Sequence, residues 1–108
     1  MSQKDDKLKE EIHRLAADFF SRESNRKSMI TVTDVEITRK GGKAAILITV
    51  LPESAEEAAL DFASRQIMEF KQFVEDHSRI ARIPFFEVRI DAGEKNRQRI
   101  EDISSGQI

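Results

Sequence analysis

The run from Ala45 to Val50 is aliphatic or β-branched at every position, so it offers no polar face to water. Such a run predicts a strand that lies centrally in a sheet or is covered on both faces. It follows a turn at Gly41-Gly42, where glycine adopts positive φ without a steric penalty. The run before the turn, at residues 29–38, is rich in β-branched residues and predicts the partner strand of a β-hairpin.

The apolar pattern of the first strand changes phase partway along. Apolar residues occupy even positions up to Val32 and odd positions from Val35 onwards. An extra residue in one strand of an antiparallel pair produces such a shift, so we predict a β-bulge near Thr33-Asp34.

Helical spacing of apolar residues predicts two helices around the hairpin, over about residues 5–22 and 55–78. Ser54 and Glu57 form a capping-box pattern at the start of the second helix. The apolar stripe of this helix is wide enough to allow a kink within 64–69.

A third strand is predicted after Pro84, where Phe86, Val88 and Ile90 alternate. The polar run 94–102 reads as a short helix. Phe85 points away from the core side of this strand, as an edge residue or as a contact for a partner. The other phenylalanines lie on predicted core stripes: Phe19, Phe20, Phe62, Phe70, Phe73 and Phe86.

The length and composition favour one intracellular domain. A chain of 108 residues supports one hydrophobic core. It has no cysteine, which excludes disulfides and thiolate chemistry. The N-terminal residues are polar, and no apolar segment approaches the ~20 residues that span a bilayer. We therefore expect a cytoplasmic protein without a membrane partner.

Charge is unevenly distributed, although the net charge is only −2. Residues 53–78 hold seven carboxylates against two cations, whereas residues 22–43 and 79–99 each hold six cations against three carboxylates. If the two basic segments meet in space, they form a basic face on an acidic protein.

No catalytic or cofactor site is predicted. His13 and His77 lie on different helices and have no metal-ligand spacing. The adjacent carboxylates at 10–11 and 56–57 do not face each other on a helix, so they are expected to be solvated. The loop 40–43 lacks the length and the Lys-Ser/Thr ending of a phosphate-binding P-loop. We expect neither an enzyme, nor a cofactor, nor a small-molecule substrate.

Three runs resemble the ribosome-binding factor A family: Met29 to Ile37, Ala44 to Val50 and Arg79 to Asp91. The third is the most characteristic, because a basic-apolar-basic segment leads into Pro84 and is followed by alternating apolar residues that end in aspartate. The similarity covers about residues 7–103.

The resemblance implies a KH-like fold of the second type. This is an α+β sandwich of order α-β-β-α-β, with a three-stranded mixed sheet and a short C-terminal helix or tail. We expect one domain over residues 1–103 and a frayed tail at 104–108. The chain has no Gly-x-x-Gly loop, and the Ala-x-Gly kink of the family falls on Gln66-Ile67-Met68, where glycine is absent.

The resemblance also implies a factor that binds the small ribosomal subunit and its ribosomal RNA (rRNA) during maturation. We expect it to be a monomer. Cations would hold phosphate oxygens and position the protein on the RNA. We predict that Arg79, Arg82, Arg97 and Arg99 carry most of this binding. The full set of predicted RNA-binding residues is Lys40, Lys43, Arg65, Arg79, Arg82, Arg97 and Arg99.

The acidic second helix supports an alternative function. In this interpretation the same scaffold is a protein-interaction module that docks a basic partner through residues 53–78 and binds no RNA. Salt dependence separates the two hypotheses, because phosphate contacts weaken steeply as counterions compete.

Overall fold

The chain forms a three-stranded mixed sheet with helices packed on one face. The computed structural model describes residues 3–23, 28–38, 40 and 42–97. The elements are α1 (Gln3–Glu23), β1 (Met29–Ile37), β2 (Lys43–Leu51), α2 (Glu56–Arg65), α3 (Ile67–His77), β3 (Phe85–Ile90) and α4 (92–97). The predicted α+β class and element order are confirmed. The predicted continuation of the last helix to 102 lies outside the described residues.

β2 is the central strand, as its apolar sequence predicts. The sheet order is β1-β2-β3, with β1 antiparallel and β3 parallel to β2. The register of the hairpin shifts between Val32 and Asp34, so the predicted bulge is confirmed at Thr33.

The core lies between the inner face of the sheet and the helices. Ala44, Ile46, Ile48 and Val50 of β2 are all buried on this face. Phe70 of α3 is fully buried at the centre. Its ring centroid lies 5.4 Å, 5.3 Å and 4.8 Å from those of Phe19, Phe20 and Phe86. Burying each such ring contributes about 1.5–3 kcal/mol, so this aromatic cluster holds α1, α3 and β3 together.

The bulge is connected to the end of β3 by a side-chain hydrogen bond. Thr33 Oγ1 donates to Asp91 Oδ2 at 2.5 Å. The other carboxylate oxygen of Asp91 accepts from the Glu94 backbone N–H at 3.0 Å, which caps the start of α4. These two bonds, the Glu94 amide first and Thr33 second, lower the pKa of Asp91 below its ordinary value.

Two local predictions were wrong. The capping box of Ser54 and Glu57 is not formed. A 3₁₀ turn at Glu53–Ala55 precedes α2, and the Pro52 and Glu53 carbonyls accept the Ala55 and Glu56 amide protons in place of a side-chain cap. Phe62 is 37% exposed and is not a core residue. α2 packs through the small residues Ala59 and Ala63, which leaves Phe62 on the flank of the helix.

The outer face of the sheet carries ion pairs in place of helices. Arg89 contacts Glu36 at 3.1 Å and Glu87 at 3.2 Å, and Lys43 contacts Glu87 at 3.3 Å. Ala45 lies among these long side chains and is only 3% exposed. The apolar stems of the charged residues therefore cover the middle of this face.

Candidate nucleic-acid interface

A cleft of about 360 Å³ opens where the hairpin turn, the start of α3 and the start of β3 meet. The Phe85 backbone N–H donates to the Gly42 carbonyl at 2.9 Å, which fixes β3 against the turn. This bond brings together the two basic segments recognised in the sequence. The apolar lining of the cleft consists of Ile67, Met68, Ile83, Pro84, Phe85 and Phe86.

Two large apolar side chains at the cleft face water. Met68 is 75% exposed and Phe85 is 71% exposed. Residues of this kind are usually buried, so their clustering at one cavity marks an interaction site more strongly than either exposure alone.

The break between α2 and α3 positions one wall of the cleft. α2 ends at Arg65 and α3 begins at Ile67, so the break falls at Gln66, within the range predicted for a kink. Gln66 has φ −87° and ψ 0°, in the bridge region that any residue can adopt. No non-glycine residue in the described part of the chain has positive φ. The break therefore forms without the glycine that the family motif carries.

The rim of the cleft is positively charged. Lys71 and Arg82 both line it, and no carboxylate of the described residues does. Glu69 lies on the opposite flank of α3, since it is about 160° around the helix from Lys71. Lys71 was missed by sequence reasoning because it lies in a segment whose total charge is strongly negative.

The cations of the described residues fall into two groups, those that form an ion pair with a carboxylate and those for which no ion pair is seen. Several lie within 4 Å of a carboxylate, among them Lys43 with Glu87 and Arg97 with Glu94. The cations for which the described structure shows no ion pair are Lys7, Lys40, Arg65, Lys71, Arg79 and Arg82.

Four of the seven predicted RNA-binding residues fall in the unpaired group. Lys40 lies in the hairpin turn, Arg65 immediately precedes the helix break, and Arg79 and Arg82 lie on the segment that leads into β3. Lys43 and Arg97 are partly neutralised by their own carboxylates, and Arg99 lies outside the described residues. The RNA-binding role of all seven stays a prediction.

The acidic helix is partly neutralised from within the protein. Lys95 of α4 contacts Glu53 at 2.8 Å and Glu56 at 3.0 Å. Hydrogen bonds to Glu53 and Glu56 raise the pKa of Lys95 above its ordinary value. Glu57 and Asp61 are left exposed on α2, on the part of the molecule where the sequence is most acidic.

Within the described residues, no group of three or more His, Cys, Asp or Glu side chains could hold a metal ion. None of the helices found in that part of the chain is long and apolar enough to cross a membrane.

Known structures share this fold. The crystal structure of ribosome-binding factor A from Thermus thermophilus superposes with a TM-score of 0.68, over 77% of this chain and 90% of that one, at 21% identity. The chain has the fold of ribosome-binding factor A. A Thermotoga maritima protein solved by NMR and provisionally named ribosome binding factor A gives a TM-score of 0.62, over 76% and 81% of the two chains, also at 21% identity.

The sequence resemblance is thus confirmed at the level of the fold. No protein-family model and no curated protein matches the chain by sequence.

Proposed function

We propose that this chain is an assembly factor that binds rRNA of the small ribosomal subunit through the basic rim of the cleft. One observation carries the proposal. Lys71 and Arg82, for which the described structure shows no ion pair, line an apolar cleft that no described carboxylate lines. The names of the two proteins of like fold support a ribosomal partner.

The unpartnered cations suit phosphate. A lysine or arginine already paired with a carboxylate must give up that contact to bind RNA, whereas Lys71 and Arg82 lose only water and counterions. Arg82 can donate two parallel hydrogen bonds to one phosphate, and Lys71 acts as a compact charge beside it.

The acidic helix gives the complex a fixed orientation. Glu57 and Asp61 on α2 would repel phosphate, so RNA is expected to approach from the hairpin turn and the start of β3. We further propose that the factor acts in the cytoplasm, as a monomer and without catalysis.

Sucrose-gradient co-sedimentation with mature and immature small subunits tests the function. We expect the protein to migrate with the subunits at low salt and to be released as salt rises. Arg82→Glu should weaken binding by about tenfold or more. The matched control is Arg14→Glu, the same charge reversal at an exposed site on α1.

Two results would contradict the proposal. Failure to migrate with small subunits at any salt would remove the ribosomal partner. If Glu57→Gln with Asp61→Asn abolished binding while Arg82→Glu left it intact, the acidic helix would be the interface, and the protein-interaction alternative would be correct.

A further inference from the structure

We propose that Lys9 and His13 of α1, together with Asp34 of the bulge, block the free edge of β1 against pairing with β1 of a second copy of this chain. The inference goes beyond the proposed function, because it concerns self-association and does not depend on RNA.

β1 is an edge strand, so one side of its backbone has no strand partner within the described residues. The sheet order β1-β2-β3 places β2 on its other side. Exposed strand edges of this kind pair readily with other chains, and β1 is nine residues long. A second copy carries the same edge, and two identical antiparallel strands are self-complementary across a two-fold axis.

The hydrogen bonds of β2 identify the backbone groups of β1 that face the free edge. Thr38 donates its N–H to the Lys43 carbonyl at 3.0 Å, so the backbone groups of Thr38 face β2. Successive residues of an antiparallel strand point their N–H and C=O groups to opposite sides. The backbone groups of Val35 and Ile37 therefore face the edge.

Val32, on the other side of the bulge, also faces the edge. It lies opposite Ile48 in the hairpin register. The Ile48 carbonyl points away from β1, since it accepts the Asp91 N–H at the end of β3 at 2.8 Å. Opposed residues of this kind exchange no backbone hydrogen bonds, so the N–H and C=O groups of Val32 point outward.

Side chains already occupy an edge-facing group on each side of the bulge. The Val32 carbonyl accepts a hydrogen bond from His13 Nε2 at 3.3 Å, and the Val35 N–H donates to Asp34 Oδ1 at 2.8 Å. The same Asp34 oxygen lies 3.2 Å from Lys9 Nζ. A strand that paired with β1 at the bulge would have to displace all three side chains.

Displacement of these side chains is unfavourable. Lys9 and His13 are four residues apart on α1, so they lie on the same face of the helix. An incoming strand would break the ion pair of Lys9 with Asp34 and crowd the ammonium group against new backbone. Lysines and bulges both prevent pairing at strand edges. Here the lysine comes from the neighbouring helix and the bulge from β1 itself.

Sedimentation equilibrium of Lys9→Ala with His13→Ala tests the block. Both residues are partly exposed and alanine favours helix, so the variant should fold. We expect its dimer dissociation constant to be at least about tenfold lower than that of the wild-type chain, because the paired edge no longer has to displace a side-chain donor and an ion pair. Each single substitution should shift the constant in the same direction.

Two further variants control this measurement. Lys7→Ala with Arg14→Ala removes two exposed cations of the same helix and should behave like the wild-type chain. Lys9→Arg with His13→Gln keeps a cation beside Asp34 and a donor for the Val32 carbonyl, so it should restore the monomer.

Amide hydrogen exchange measured by NMR locates the interface. In the dimer of Lys9→Ala with His13→Ala, the N–H groups of Val32 and Ile37 should exchange several-fold more slowly than in the dilute monomer, since an added strand supplies each with a carbonyl partner. The N–H of Val88, on the opposite edge of the sheet, should be unchanged.

Three outcomes would overturn the inference. The first is a double variant and single variants that stay as monomeric as the wild-type chain. The second is a dimer in which Val88 gains protection and Val32 and Ile37 do not, because the copies would then pair through β3. The third is equal association of Lys7→Ala with Arg14→Ala, which would make loss of positive charge the cause.

Discussion

Whether a cation already has a carboxylate partner should determine how much it contributes to the affinity for RNA. Lys71→Gln with Arg82→Gln removes two unpartnered charges, and Lys43→Gln with Arg97→Gln removes the same two residue types from existing ion pairs. Both double variants change net charge by the same amount. A difference in RNA affinity between the two double variants therefore reflects the position and pairing of the residues, because the change in overall charge is the same.

The magnitude follows from counterion release. Each phosphate contact to a single strand contributes about 0.7 to the slope of log affinity against log salt, so losing two lowers the slope by about 1.4. At about 0.1 M salt this corresponds to roughly 25-fold weaker binding for Lys71→Gln with Arg82→Gln. The loss should shrink as salt approaches about 1 M. The loss of affinity caused by Lys43→Gln with Arg97→Gln should be several-fold smaller.

Fluorescence anisotropy with a labelled single-stranded fragment of small-subunit rRNA, at four or more salt concentrations, gives both affinity and slope. Thermal unfolding of each variant checks the fold, which should be little changed because these side chains are exposed. Equal slopes for the two double variants, or a larger loss for the paired residues, would refute the assignment of the rim as the phosphate surface.

Two further predictions concern stability. Val88→Asp places an unpaired charge at a site only 7% exposed and should cost several kcal/mol, whereas Arg89→Ala removes only exposed ion pairs and should cost ~1 kcal/mol or less. Similar shifts in Tm for the two would contradict the strand orientation. Because the folded-state pKa of Asp91 is lowered, its ionised form adds stability above about pH 4, and this is lost as pH falls through the lowered pKa. Asp91→Asn should therefore flatten the pH dependence of the free energy of unfolding below about pH 4, measured by urea denaturation; an unchanged acid limb would show that the bonds to Thr33 and Glu94 do not act on stability.

Much of the fold was accessible from the sequence because it depends on local periodicity. The phase change in β1 predicted the bulge at Thr33, and the apolar run of β2 predicted a central strand. Phe62 was misplaced because periodicity gives the direction of a side chain but not how closely a neighbouring helix approaches. The short side chains of Ala59 and Ala63 decide that distance.

The candidate site was less accessible because it depends on contacts between distant residues. The neutralisation of Lys43 requires Glu87, which is on another strand. Lys71 belongs to an acidic segment by sequence and to a basic rim by position. Charge totals along the chain therefore identified the basic segments correctly but could not separate the paired cations from the unpaired ones.

The parallel pairing of β2 with β3 also bears on how the site comes into existence. The paired strands are roughly 40 residues apart in sequence, so their association pays a loop-closure entropy that the β1–β2 hairpin does not. The cleft has Gly42 on one side of this pairing and Phe85 on the other, so a chain with only its hairpin formed has no cleft. A ligand held in the cleft binds only the completely folded chain. By mass action it raises the free energy of unfolding by about 2.7 kcal/mol when the ligand concentration is a hundred times Kd. Under the proposed function RNA is such a ligand, and its binding would stabilise the folded protein.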